Sequence, residues 1–184
     1  QVYDSFEDKT LLREELTPQQ AMCMLHFLKS HNVLRGVYID GLGHMSREDF
    51  SEIEAVAATP ATAALMRRSY QTDEDLDAVT AQHNSVQKII AFFRNPDDKQ
   101  ATIREITARF PGYAVSSSLG NNIEINAQNA TKGSALCFLC EKIGVPIGQC
   151  MAFGDGTNDY SMLRAAGFGV AMGNASEEVQ SCAD

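Results

Sequence analysis

Residues 150–175 read CMAFGDGTNDYSMLRAAGFGVAMGNA. Two short apolar runs, one ahead of Gly154 and one from Phe168, flank a helix-like stretch that ends at Gly167. Runs that are apolar without alternation predict strands buried on both faces, the habit of a parallel sheet. Working outward, TKGSALCFLCEKIG (131–144) predicts a helix stopped by Gly144, and ASEEVQSCAD (175–184) begins another. Helix, strand, helix, strand, helix in so short a span predicts a parallel α/β sheet, part of a Rossmann-like core, from residue 127 onward.

Ligands of open α/β sheets sit at the carboxyl ends of the strands. The first run delivers Asp155 to such an end, between two glycines that permit a sharp turn and close approach of a ligand. Asn158 and Asp159 fall in the first turn of the following helix, whose free N–H groups attract anions. Asp155 suits a hard cation such as Mg2+, and Asp159 suits a metal-bound water or a neighbouring lysine. Lys132 opens the preceding helix, where a cation opposes the macrodipole. A lysine, a metal carboxylate and a helix N-terminus together form a phosphate-handling set. The same residues also make ordinary turns and helix starts, so the pattern alone leaves both readings open.

The chain ahead of this region has a different character. TLLREEL, LRGVYID and VQKIIAFF predict strands. Thr17 and Pro18 mark the start of one helix, SREDFSEIEAVAA reads as a second, and Asn95 with Pro96 opens a third. DGLG (40–43) reads as a turn, and PGYAVSSSLGNNIEINA as a hairpin turning at Gly120–Asn122. This mixture predicts a separate α+β unit over 1–126, its first ten or so residues serving as a linker.

Composition excludes several classes. With 24 acidic against 15 basic residues the formal net charge is −9, which disfavours nucleic acid as a partner. No run reaches the ~18–20 apolar residues of a membrane span. Cys23, Cys137, Cys140, Cys150 and Cys182 are odd in number and scattered, which points to reduced thiols and a cytoplasmic location. Cys137 and Cys140 form a C-x-x-C read as two core thiols on a helix, since no second Cys/His pair at ligand spacing completes a zinc site.

The motifs NATKGSAL and G-D-x-x-N-D-x-x-M-L followed by A-G-x-G-V-A-M-G-N-A resemble the last two signatures of the haloacid dehalogenase superfamily. The match is to its Cof-type phosphatases with an α+β cap of type IIB, and it extends over nearly the whole chain. The resemblance implies a Mg2+-dependent phosphatase acting on small phosphorylated metabolites through a phosphoaspartate, with sugar phosphates as the first expectation and a cofactor phosphate as the second. It implies that Lys132 stabilises the phosphoryl group, that Asp155 binds Mg2+, that Asn158 contacts the phosphate, and that Asp159 supports the metal shell. Asn174, in the GNA turn, is a further candidate for substrate binding. Cap contacts are expected near Asp40–His44 and Ser117–Asn122.

One departure is large. The family's D-x-D-G-T/S nucleophile motif has no counterpart: Asp40-Gly41 in YIDGLGH lacks the preceding aspartate and lies in the cap-like part. The expectation is therefore a fragment, inactive alone, of a longer enzyme. The alternatives are a non-catalytic phosphate-binding module and a phosphomutase with the same cap.

Overall fold

The computed structural model describes all 184 residues. In chain order the elements are β1 (Val2–Asp4), β2 (Lys9–Leu12), α1 (Pro18–Leu28), β3 (Val33–Ile39), β4 (Leu42–Ser46), α2 (Arg47–Ser51), α3 (Ile53–Val56), α4 (Pro60–Ser69), β5 (Tyr70–Asp73), α5 (Leu76–Gln82), β6 (Lys88–Phe93), α6 (Asp98–Arg109), β7 (Tyr113–Ser116), β8 (Asn122–Ala127), α7 (Lys132–Ile143), β9 (Met151–Gly154), α8 (Tyr160–Ala165), β10 (Phe168–Ala171) and α9 (Glu177–Gln180). They form two compact units. One comprises Gln1–Glu14, Ser116–Ser118 and Gln128–Asp184, the other Glu15–Val115 and Leu119–Ala127.

The second unit is built on a six-stranded sheet of order β5-β4-β3-β6-β8-β7. The β4–β5 pair is parallel, while β3 pairs antiparallel with β4 and β6, and β6 with β8. The two-residue periodicity of strands sorts its apolar side chains onto two cores. Val37, Ile89, Phe93, Ile123 and Ile125 join Met24, Leu25 and Leu28 of α1 and Ile106 of α6 in one cluster. Leu34, Met45, Tyr70, Ile90 and Phe92 join Ile53, Val56, Ala63 and Met66 in the other. Each fully buried large side chain contributes about 1.5–3 kcal/mol. Helix α1 starts where expected: Thr17 and Gln20 form a reciprocal capping box, with Pro18 in the first turn.

The first unit carries the parallel pair foreseen from the sequence. Strand β9 lies beside β10 with Met151 opposite Phe168 and Gly154 opposite Ala171. Ala152, Leu163, Ala175 and Val179 form its buried cluster, with Leu136 packed against it. Helix α7 ends at Gly144, whose φ of 71° is the left-handed conformation that favours glycine.

Several local expectations change. The strands β9 and β10 are covered on one face alone, leaving Met151 58%, Phe153 57% and Phe168 48% exposed. Apolar composition reports what a strand prefers to bury, and both faces of this one have that preference. The turn 40–43 is a two-residue connection with Asp40 and Gly41 both at positive φ, which matches the twist of a hairpin and adds the unforeseen strand β4. The helix read over SREDFSEIEAVAA is two short helices broken at Glu52, with Ser46 capping the first. The helix expected from Asn95 begins two residues later, because the Asn95 side chain accepts from the Asp97 N–H and closes a turn. Cys137 is exposed, while Cys140 is buried.

Candidate active site

The local sequence sets the positions. Strand β9 ends at Gly154, and a short 3-10 turn over Thr157–Asp159 leads into α8. Gly154 has a steric reason to be glycine: a Cβ there would lie 2.4 Å from the Asp159 Cβ. The loop therefore folds back on Asp159, which is buried.

Both carboxylate oxygens of Asp159 are engaged. Oδ1 accepts from Lys132 Nζ at 2.5 Å. Oδ2 accepts from the backbone N–H groups of Asp155 at 3.0 Å and Gly156 at 3.1 Å. Burial pushes the Asp159 carboxyl up, but the Lys132 hydrogen bond and the two backbone donors outweigh it and hold it below the usual carboxylate range. Lys132 is the first residue of α7, with Thr131 capping the helix by accepting from the Ser134 N–H. A cation at a helix N-terminus is disfavoured by the macrodipole, and the Asp159 charge offsets that. The Lys132 side chain is half exposed, so its ammonium faces both Asp159 and solvent.

Asp155 is exposed at the carboxyl end of β9 and accepts from Asn174 Nδ2 at 3.1 Å through Oδ2. Lys132, Asp159, Asp155 and Asn174 thus form one continuous hydrogen-bonded chain. Asn158 lies in the same turn, half-buried, between the two aspartates. The chain of contacts also includes a residue that sequence reasoning missed. Ser161 Oγ accepts from the Gly133 N–H at 3.0 Å and ties the start of α7 to α8. A serine inside a helix carries no signal that would have singled it out.

Asp155 is the better placed of the two carboxylates to hold a cation, since it is exposed while Asp159 is buried with both oxygens already accepting hydrogen bonds. No three His, Cys, Asp or Glu side chains converge anywhere in the chain. One carboxylate supplemented by water suits Mg2+, which keeps much of its hydration shell, and does not suit zinc, which takes several nitrogen or sulfur ligands. The residues present therefore fit Mg2+ as a partial oxygen site.

Of the expected cap contacts, residues 40–44 and 119–122 lie in the other unit, whereas Ser117 and Ser118 belong to the unit of the candidate site. Asp40 and Gly41 form the β3–β4 turn, and His44 is buried with Nδ1 2.9 Å from Asp73 Oδ2. Asn121 donates to the Val56 carbonyl. An open groove of about 500 Å3 also lies in that other unit, lined by Val56, Phe92 and Arg94 together with Leu119, Gly120 and Asn121 of the expected cap contacts, while Lys132, Asp155, Asn158, Asp159 and Asn174 do not line it.

Comparison with known proteins gives this geometry its context. The family model of haloacid dehalogenase-like hydrolases matches residues 1–184. The phosphatase YwpJ of Bacillus subtilis is 48% identical over 68 residues, which are 37% of this chain and 24% of that protein. A haloacid dehalogenase-like hydrolase structure from B. subtilis superposes with a TM-score of 0.81 at 26% identity, covering 99% of this chain and 69% of that one. The fold is also that of a subclass IIB sugar phosphatase, BT4131, with a TM-score of 0.74 at 18% identity over 97% of this chain and 64% of the other. The matched region is thus well under two thirds of the YwpJ length and about two thirds of the solved structures. The chain belongs to the haloacid dehalogenase-like hydrolase family.

Proposed function

We propose that the protein carrying this chain is a Mg2+-dependent phosphatase of small phosphorylated metabolites, sugar phosphates first among them, working in the cytoplasm. The observation that carries this reading is the hydrogen-bonded chain from Lys132 through Asp159 and the 155–156 loop to Asn174 at the end of a parallel strand. The likeness to BT4131, a subclass IIB sugar phosphatase, supports sugar phosphates. The unit built on the six-stranded sheet is proposed as the cap that selects the leaving group.

In this reading the Lys132 ammonium neutralises charge on the phosphoryl oxygens, and its half-exposed position leaves donors free to do so. Asp159 does not touch substrate; it fixes the direction of Lys132 and braces the backbone that presents Asp155. Asp155 would hold Mg2+, and Asn174 orients that carboxylate. Asn158 contacts the phosphate from the 3-10 turn that leads into α8. Bound Mg2+ would supply Lewis-acid neutralisation of a phosphoryl oxygen. The phosphoaspartate route requires an aspartyl nucleophile, which is assigned to a D-x-D-G-T/S motif outside these 184 residues. Accordingly these residues alone are proposed to be inactive.

The test is phosphate release from a panel of phosphorylated metabolites by the protein, with and without Mg2+, beside the Lys132→Met variant. The reading expects Mg2+-dependent turnover, strongest on sugar phosphates, and a loss of about two orders of magnitude in kcat on removing the lysine, in the range of a lost oxyanion donor. Metal-independent turnover, or full activity without Lys132, would overturn it.

A further inference from the structure

The C-x-x-C at 137–140 is unused by the phosphoryl site, and the structure pairs one of its members with a cysteine outside the motif. Cys137 is exposed on α7, while Cys140 is buried one turn from the helix end. The neighbour of Cys140 is Cys150, ten positions on, with the two sulfurs 3.2 Å apart. Cys150 sits half-buried at the entry to β9, its N–H donating to Ile147 and its carbonyl accepting from the Phe168 N–H. Both positions are held by the backbone, Cys140 within α7 and Cys150 by its bonds to Ile147 and Phe168. The Val145 N–H donates to the Cys140 carbonyl at 2.9 Å, which fixes the connection between them.

We propose that Cys140 and Cys150 form a reversible redox site that closes to a disulfide on exposure to a low-molecular-weight disulfide of the glutathione class. A disulfide bond is ~2 Å long, so the sulfurs need to approach by only about 1 Å. The Cys150 thiolate, nearer solvent, attacks one sulfur of the reagent. A mixed disulfide forms and one thiolate leaves. The Cys140 thiolate then attacks the Cys150 sulfur, forming the protein disulfide and expelling the second thiolate. Two protein thiols lose two electrons and two protons in all, and the reagent becomes two thiols. The hydrogen bond with Cys150, and then burial, push the Cys140 thiol up, so Cys150 reacts first and Cys140 gives up its proton only as it attacks the mixed disulfide.

The bridge would join the far ends of two elements whose other ends carry the candidate site. Cys140 lies eight residues along α7 from Lys132, roughly 12 Å. Cys150 lies one strand before Asp155, roughly 16 Å. Closure therefore staples the back of this unit without occupying the region of Lys132 and Asp155.

The experiment treats the native protein with oxidised glutathione, blocks remaining thiols with iodoacetamide, and maps tryptic peptides without reduction. Cleavage at Lys142 separates Cys140 from Cys150, so the bridge links two peptides. Cys137→Ser, Cys140→Ser and Cys150→Ser variants are treated alongside. The expected result is a linked pair in the parent and in Cys137→Ser, reduced at least tenfold in Cys140→Ser and Cys150→Ser, with Cys137 alkylated in the parent. The oxidised parent should melt at higher temperature than the reduced one, and dithiothreitol should reverse the shift. A link that survives in Cys140→Ser, a Cys137–Cys140 link in the parent, two independent glutathione adducts, or a lower melting temperature on oxidation would each overturn the proposal.

Discussion

Replacing Asp159 with asparagine removes one charge from a pair that the fold has largely enclosed. Asp159 is buried, and Lys132 is half exposed with its Nζ 2.5 Å from Oδ1. Coulomb's law at an effective dielectric near 20 gives about 7 kcal/mol for unit charges at that separation. Desolvation of the carboxylate and solvent screening of the lysine cancel most of this. What remains is about 2 kcal/mol, the usual net value of a hydrogen bond to a charged group. The asparagine oxygen can still accept from the Asp155 and Gly156 N–H groups, but its amide then meets the Lys132 ammonium donor to donor. The carboxyl of Asp159 is held below its ordinary range, so its stabilisation is complete above pH ~4 and is lost as pH falls through the lowered folded value. Urea unfolding of parent and Asp159→Asn should therefore differ by about 2 kcal/mol at neutral pH and converge in acid. In a Lys132→Met background the same substitution should cost about 1 kcal/mol less, and added salt should shrink that coupling. A penalty that is independent of pH, or no coupling to Lys132, would refute the account of Asp159 as the residue that fixes the lysine.

Other perturbations probe neighbouring links. Asp155→Asn should raise the Mg2+ concentration for half-maximal activity by at least about tenfold, because the cation loses an anionic oxygen; a Mg2+ titration of turnover checks it. Asn174→Ala should weaken Mg2+ by about tenfold as well, by releasing the Asp155 carboxylate, while Asn174→Asp should fail to restore the contact since it has no donor. Gly154→Ala should destabilise by about 1–3 kcal/mol and depress kcat, since the new Cβ forces Asp159 away from Lys132; thermal unfolding and kcat should fall together.

The sequence was most legible where glycine punctuation and apolar runs coincide. Gly144 stops α7 as foreseen, α8 ends at Ala165 just short of the Gly167 stop, and the runs at 151–154 and 168–171 are adjacent parallel strands. The site was legible because its parts are local: Asp155, Asn158 and Asp159 share one turn, and Lys132 and Asn174 stand in the two flanking motifs. What the sequence could not display is partner choice. Nothing in the spacing says that Asp159 spends both oxygens on Lys132 and the loop, or that Ser161 fastens Gly133. Strand β5 was missed because Tyr70–Asp73 buries only Tyr70 well and otherwise looks polar. The C-x-x-C misled because helical spacing predicts neighbours along one face, whereas the sulfur beside Cys140 comes from Cys150, just ahead of the next strand.

The most direct test of the central claim is a crystal structure of the protein with Mg2+ and orthovanadate. The account predicts Mg2+ about 2.1 Å from an Asp155 oxygen. It also predicts a vanadate oxygen within hydrogen-bond distance of Lys132 Nζ, with the Lys132–Asp159 pair intact. Vanadate bound away from Lys132, or Mg2+ coordinated without Asp155, would contradict it.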